Sequence, residues 1–154
     1  ITPNFPRTIN SWAYDYAGGK VPITDNRAVD VSCYHPGYTL VEKLQTISTK
    51  YRQQQETGQF PVNFMRHYYD VYCLLQDAET VKFIGTPEYL AHKEKRFRVA
   101  DNPMIAENEA FLLTDKETRE MYESAYESTR TLYYQSQPDF DDLLEKIEDH
   151  VHEL

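Results

Sequence analysis

The sequence predicts an α+β protein that is mainly α-helical, with a short N-terminal strand element followed by a five- or six-helix bundle. Residues 1–38 are expected to form an extended arm and the strand element, and residues 39–154 the helical domain. Apolar residues alternate with polar ones before this boundary and recur at helical spacing after it. Strands followed by helices, without alternation of the two, are typical of an α+β fold.

The first elements are inferred from alternating patterns. Trp12, Tyr14 and Tyr16 alternate with other residues, which predicts a short strand or an extended arm. Valine and cysteine alternate loosely with polar residues over residues 27–34, which predicts a strand. The turn signal His-Pro-Gly at residues 35–37 is expected to end that strand.

Start signals and helical periodicity place the remaining elements. Thr39, with Glu42 three residues later, predicts a capping box at the start of the first long helix. Thr86 and Pro87 are typical of a helix start, and Pro138 opens the last helix. The predicted helices cover roughly residues 39–55, 62–76, 78–84, 88–97, 114–134 and 138 onward, with a long connection over residues 98–114.

The composition limits the classes of function. A formal net charge of −9 and a sequence pI of about 5.0 argue against broad DNA or RNA binding, because an acidic surface repels phosphates. Cys33 and Cys73 lack metal-ligand spacing, so no metal site is predicted among the residues of this chain. The sequence has no long apolar run and no signal peptide, so we expect a cytoplasmic protein without a membrane-spanning segment.

Four polar residues of the first long helix divide between the two flanks of its apolar stripe. Lys43 lies about 60–70° to one side of the stripe, and Lys50 falls nearly beneath it. Ser48 and Arg52 lie on the other flank. Lys43 and Arg52 are therefore about 180° apart around the axis and about 13 Å apart along it, so a straight helix cannot direct both to one phosphate. Lys43 is either a border lysine whose stem covers the core edge or a ligand of a phosphate group.

The next helix carries an arginine and an aspartate on its one polar face. This helix is apolar on nearly all other sides, which is typical of an interior helix. Arg66 and Asp70, at positions i and i+4, lie within about 40° of each other. They form either an intrahelical ion pair that anchors the helix, or a functional site in which Asp70 is a catalytic or substrate-orienting carboxylate.

Three weaker features are interpreted as structural. His67 is expected to be a core residue rather than a general base. Asp101 is interpreted as an isolated carboxylate with a role in turn geometry. The basic cluster over residues 93–98 is expected to be a solvated helix face, with RNA contact as the alternative.

The segment from Tyr38 through Lys43 to Arg52, followed by Arg66-x-x-x-Asp70-x-Tyr72, resembles the AbiEii/AbiGii toxins. These are bacterial nucleotidyltransferase-like proteins of toxin–antitoxin and phage-abortive-infection systems. By this resemblance Lys43, Ser48 and Arg52 match the third family motif, and Arg66 and Asp70 match the fourth. His67 stands where family members often carry an aspartate, so one acid remains at that motif.

The same resemblance implies that the chain is the C-terminal portion of a nucleotidyltransferase-fold protein. The first two family motifs, a Gly-Ser followed by a pair of acids, do not occur before Lys43. In the family these motifs bind the nucleoside triphosphate and Mg²⁺. We therefore expect both to be bound by the full-length protein and neither by this chain, which is expected to be inactive in isolation.

The resemblance also implies the roles of the candidate residues. Lys43 and Asp70 are the expected catalytic residues, with Lys43 steadying the phosphates and Asp70 orienting or deprotonating an RNA acceptor such as the 3′ end of a tRNA. Nucleotide or phosphate binding is expected of Lys43, Ser48, Arg52 and Arg66. The helical position of Arg52 makes it either structural or a ligand of a different group from that of Lys43. The alternative function is a helical protein–protein interaction module without catalysis, whose partner would be an antitoxin.

Overall fold

The computed structural model describes residues 4–18, 20–25, 27–133 and 136–154. The chain divides into two compact units, Ile1–His35 and Pro36–Leu154. The first unit contains a two-stranded sheet, and the second is built from helices, which confirms the predicted α+β, mainly α fold. Within the described ranges, no helix combines the length and the apolar character that crossing a bilayer requires.

The first unit is a short antiparallel sheet with a helix between its strands. The elements are β1 Asn4–Ile9, α1 Trp12–Ala17 and β2 Ala28–Tyr34. β1 pairs with β2 in a register that places Asn4 opposite Tyr34 and Phe5 opposite Cys33. The strand predicted over residues 27–34 is confirmed as β2, whereas β1 was not predicted.

The expectation of a strand or extended arm around Trp12, Tyr14 and Tyr16 is wrong, because these residues form α1. The hydroxyl of Ser11 accepts a hydrogen bond from the backbone N–H of Tyr14 at 3.1 Å, which caps the helix. The alternating aromatic pattern spans only five residues, which is too short to specify a strand, and the cap at Ser11 favours a helix instead. Residues 1–3, 19 and 26 of the predicted arm lie outside the described residues.

The second unit consists of seven α-helices in its described residues. They are α2 Pro36–Thr57, α3 Arg66–Leu74, α4 Ala78–Phe83, α5 Pro87–Arg96, α6 Glu109–Leu112, α7 Lys116–Glu127 and α8 Phe140–Glu148, with 3₁₀ turns at Ile105–Glu107 and Arg130–Leu132.

Several predicted boundaries differ from the structure: α3 starts at Arg66 rather than near residue 62, and α8 starts at Phe140 rather than at Pro138. α2 starts at Pro36 rather than at Thr39, because proline suits the first turn of a helix, and the predicted turn at residues 35–37 is partly its first turn. α6 lies inside the predicted connection over residues 98–114, capped by the side chain of Asn108. α7 ends at Glu127, and Tyr134, the predicted end of that helix, lies outside the described residues.

α2 is the central element of the second unit, and α3, α4, α5 and α6 all pack against it. Its apolar stripe is fully buried at Leu40, Leu44 and Ile47. α3 contributes Tyr68 and Val71 to the same core, and α8 packs against α3. Burial of this stripe fixes the rotation of α2, and so determines which of its polar residues face α3.

Candidate functional site

Lys43 of α2 and Asp70 of α3 form an ion pair, with Nζ of the lysine 2.8 Å from Oδ2 of the aspartate. The two residues are 27 positions apart in sequence, so only the packing of α2 against α3 brings them together. Their side chains are 28% and 24% exposed, which leaves the pair accessible from solvent while much of its surface is covered. The two residues that sequence analysis identified as catalytic candidates therefore meet in space.

The helical positions of the pair follow from the core. Leu44 directly follows Lys43 and is fully buried, and Val71 directly follows Asp70 and is also fully buried. Each polar residue therefore lies at the edge of the buried face of its own helix, about 100° around the axis from a core side chain. The core contact between the helices thus places both polar edges on the same side.

His67 is the third side chain of this site. Its Nδ1 lies 3.4 Å from Nζ of Lys43 and 3.9 Å from Oδ2 of Asp70. The imidazole is 17% exposed. Burial, together with the positive charges of Lys43 and Lys50, lowers the pKa of His67 to about 4. The imidazole is therefore neutral at physiological pH, and a neutral imidazole can accept a hydrogen bond from an ammonium.

Two further cations, Lys50 and Arg66, surround the site. Both act on the imidazole in the direction that lowers its pKa, whereas the carboxylate of Asp70 acts in the opposite direction. Nζ of Lys50 also donates to the backbone carbonyl of Val62 at 2.7 Å, which joins α2 to the loop before α3. In a chain with a formal net charge of −9, this neighbourhood is locally positive, a property suited to an anionic ligand.

Arg66 does not form the interior ion pair with Asp70 that was one of the two sequence interpretations. Arg66 is exposed at the start of α3, and the structure pairs Asp70 with Lys43 across the helix interface instead. Arg66 borders a cavity of about 300 Å³ that is also lined by Phe60 and Leu132. Asp70 has its partner on α2, whereas Arg66 lies one turn nearer to the N-terminal end of α3, where its side chain is exposed.

Ser48 and Arg52 lie on the opposite flank of α2, as the helical spacing predicted. The hydroxyl of Ser48 donates to the carbonyl of Leu44 at 3.1 Å and accepts from Nδ2 of Asn108 at 3.0 Å. Nε of Arg52 donates to Oδ1 of Asp101 at 3.1 Å. These two candidates therefore contact the loop before α6, and the structure does not bring them to Lys43 and Asp70.

The sequence did not reveal the partners of two side chains, His67 and Asp101. His67 was interpreted as a core residue, and its adjacency to Lys43 carries no local sequence signal because it depends on the α2–α3 packing. Asp101 was interpreted as an isolated turn carboxylate, yet its side chain is fully buried and receives hydrogen bonds from Thr49 and Arg52. A buried carboxylate needs such partners, but its sequence neighbours do not identify them.

A metal site is not evident in the described ranges, where no group of three or more histidine, cysteine, aspartate or glutamate side chains is placed to hold an ion. The potential ligand nearest to the Asp70 carboxylate for which a distance is known is Nδ1 of His67, 3.9 Å from Oδ2. The described residues therefore do not form a preformed cage of ligands for a divalent metal.

The comparison with protein families defines the class of this protein as a nucleotidyltransferase-type toxin. Residues 7–146 match the family model described as nucleotidyl transferase AbiEii toxin, Type IV TA system. The chain belongs to the AbiEii family, which confirms the resemblance seen in its sequence. Membership of a type IV toxin–antitoxin family implies an antitoxin as its counterpart. No curated protein and no solved structure matches the chain significantly.

Proposed function

We propose that the full-length form of this protein transfers a nucleoside monophosphate unit from a nucleoside triphosphate to an RNA hydroxyl, with release of pyrophosphate, and that Lys43 and Asp70 are its catalytic residues. The observation that carries the proposal is the 2.8 Å contact between Nζ of Lys43 and Oδ2 of Asp70 at the interface of α2 and α3. Family membership supplies the reaction type, and this contact supplies the position at which the chain would act.

Lys43 is suited to hold the phosphates. Its ammonium has three N–H donors, of which Asp70 and His67 account for two. The third is left to reach a phosphate oxygen in the locally positive surroundings formed with Lys50 and Arg66. Arg66, exposed at the start of α3, would contact phosphate from the neighbouring turn.

Asp70 is suited to bind the acceptor. One carboxylate oxygen, Oδ2, receives the hydrogen bond from Lys43. The other, Oδ1, can accept from a hydroxyl such as the 2′- or 3′-hydroxyl at an RNA end. A lysine that binds phosphate beside a carboxylate that binds a hydroxyl brings the two reactants together, and proximity of this kind lowers the barrier to transfer.

Ser48 and Arg52 have a supporting role in this proposal. Their hydrogen bonds run to Asn108 and Asp101 rather than toward the ion pair. They would hold the rotation of α2 from its other flank. Mg²⁺ and the nucleoside triphosphate are proposed partners of the reaction, since nucleotidyl transfer uses metal to offset phosphate charge, but no metal ligand is assigned to the described residues.

The test is to replace Lys43→Met and Asp70→Asn separately in the toxin expressed from its natural gene. Growth arrest after induction and incorporation of each labelled nucleoside triphosphate into cellular RNA are measured, and the labelled RNA is resolved by gel to show whether it is tRNA. Both variants are expected to lose at least about 100-fold in labelling, as is typical when a group that contacts the reacting atoms is removed.

The matched controls are Lys116→Met and Asp141→Asn, which change exposed residues of α7 and α8 that form ion pairs of their own. Circular dichroism melts confirm that each variant folds. If both site variants are folded and still arrest growth and label RNA, the catalytic proposal fails. The alternative, a helical module that acts by binding an antitoxin or another protein, would then be favoured.

A further inference from the structure

We infer that His67 is a positioning residue that fixes the direction of the Lys43 ammonium by accepting one of its hydrogen bonds at Nδ1. The inference rests on the proposed function, in that the ammonium so oriented is the one that binds phosphate. Its structural basis is the triangle formed by Nζ of Lys43, Nδ1 of His67 and Oδ2 of Asp70, with sides of 2.8, 3.4 and 3.9 Å.

Two acceptors determine the rotation of an ammonium, whereas one does not. With Asp70 alone, the –NH₃⁺ group of Lys43 could turn about its Cε–Nζ bond while keeping a single hydrogen bond. A second acceptor at His67 Nδ1 occupies a second N–H, and the tetrahedral geometry of the nitrogen then fixes the third. Such preorganisation favours binding, because the ligand no longer has to order the group.

The protonation state of the imidazole matches this role. Only the neutral tautomer with hydrogen on Nε2 offers a lone pair at Nδ1. A protonated imidazole would place N–H toward the ammonium and compete with Lys43 for Asp70. The charged groups that act on the ring are Lys43 and Lys50 from α2 and Arg66 and Asp70 from α3, and burial with the three cations keeps its pKa at about 4.

The location of His67 also separates this role from simple core packing. Its ring is 17% exposed and lies at the rim between the ion pair and the buried face of α3, where Tyr68 and Val71 are fully buried. The 3.4 Å contact between Nδ1 of His67 and Nζ of Lys43 is a polar contact that filling space alone does not need. The side chain is therefore suited to orient a neighbouring group rather than to exchange a proton itself.

The first test measures the tautomer directly and does not depend on activity. Long-range ¹H–¹⁵N spectra of the ¹⁵N-labelled protein are expected to show His67 as the Nε2–H tautomer at pH 7. In the Lys43→Met variant the pKa of His67 is expected to rise, because the nearest positive charge is removed. An Nδ1–H tautomer, or a pKa that does not respond to loss of Lys43, would overturn the inference.

The second test uses three substitutions with matched shapes. In His67→Asn, Oδ1 falls close to the place of Nδ1 and can accept from Lys43, so kcat/KM for the nucleoside triphosphate is expected to stay within about threefold of the natural protein. His67→Phe fills the space without an acceptor, and His67→Gln places its polar group nearer to Nε2. Both are expected to lose about tenfold or more, the usual effect of losing a hydrogen bond to a charged group.

His152→Asn, which changes an exposed histidine of the same unit, is the control for loss of a histidine as such. Equal activity of the Asn, Gln and Phe variants of His67 would overturn the inference even where Lys43→Met is inactive. Full activity of Lys43→Met would instead refute the proposed function, whatever the tautomer. The Asn and Gln pair keeps the test decisive if the Phe variant does not fold.

Discussion

The hydroxyl of Thr49 donates a hydrogen bond to Oδ2 of Asp101 at 2.5 Å, across 52 positions of sequence. Nε of Arg52 donates to Oδ1 of the same carboxylate at 3.1 Å, and Nε2 of Gln45 donates to the Thr49 hydroxyl at 2.7 Å. The carboxylate is fully buried. Thr49, Arg52 and Asp101 form a clamp between α2 and the loop before α6, on the flank of α2 opposite Lys43.

The clamp is expected to stabilise the fold. Asp101→Asn should lower the free energy of unfolding by about 2 kcal/mol, because a buried carboxylate that accepts two hydrogen bonds becomes an amide that cannot satisfy both donors. Urea denaturation at pH 7 measures the effect. The control is Glu56→Gln, which removes the negative charge of the exposed second partner of Arg52 and should change stability little. Equal stability of the two variants would contradict a structural role for the clamp.

The close approach of Phe83 to Gly37 at the start of α2 predicts that replacing this glycine destabilises the protein. A Cβ atom at this position would lie 2.6 Å from Cγ and 2.9 Å from Cβ of Phe83, in α4. Gly37→Ala should therefore lower the free energy of unfolding by about 1–3 kcal/mol, although alanine is the better helix former. Thermal and urea melts test this. Gln53→Ala, at an exposed position of α2, should leave stability unchanged or raise it slightly. If Gly37→Ala also left stability unchanged, Phe83 and α4 would have to shift at little cost to accommodate the added methyl group.

Four buried tyrosines predict loss of stability in alkali. Burial raises the pKa of Tyr68, Tyr89, Tyr122 and Tyr126, so each ring keeps its proton in the folded state above pH 10, where the unfolded chain releases it. Their contribution is complete well below pH 10, and above it the loss of stability per tyrosine approaches a limit of about 1.4 kcal/mol per pH unit. Urea midpoints at pH 8, 10 and 10.5 give the slope.

The controls for the alkaline slope are two phenylalanine variants. Tyr122→Phe should reduce the slope by one proton, whereas Tyr16→Phe should leave it unchanged, because Tyr16 is 69% exposed. Absorbance at 295 nm follows ionisation directly. Release of phenolic protons well before unfolding would show that the buried rings titrate in the folded state.

The lowered pKa of His67 predicts that the folded protein loses stability as the pH falls below neutral. Its pKa is about 4 in the folded protein against an ordinary value of 6.5, so between these values the unfolded chain binds a proton that the folded protein does not. Stability from this residue is therefore present above pH 6.5 and is lost as the pH falls toward 4. Urea melts between pH 7 and pH 4 give the slope of the free energy of unfolding against pH. This slope should be smaller by up to one proton in His67→Asn and unchanged in His152→Asn.

The sequence predicted the polarity of α2 well, because an apolar stripe with a period of 3.6 residues determines which residues are buried and which flank each polar side chain occupies. Lys43 and Arg52 lie on opposite flanks as the spacing indicates, and Lys43 meets Asp70. The partners themselves were harder to infer. Asp101 and His67 acquire theirs through packing across many residues, which local periodicity does not encode.

Short elements were the least predictable part of the fold. α1 depends on a single cap at Ser11, and α6 on a cap at Asn108 within a segment expected to be a connection. In α1 and α6, of six and four residues, the apolar periodicity was too short to distinguish a helix from a loop or a strand, whereas the six residues of α4 were predicted as a helix. Their stability comes from the cap and from tertiary contacts, which become visible only in the folded chain.

The opposed flanks of α2 have a consequence for genetic selection. Spontaneous mutants that escape toxicity should fall into two groups according to how much protein accumulates in the cell. Lesions at Thr49, Arg52 or Asp101 would leave little protein, because partly unfolded chains are degraded by cellular proteases. If Lys43 and Asp70 act as proposed, lesions at either residue would leave normal amounts of a folded but inactive protein. An immunoblot of escape mutants would then separate residues needed for folding from residues needed for the proposed activity.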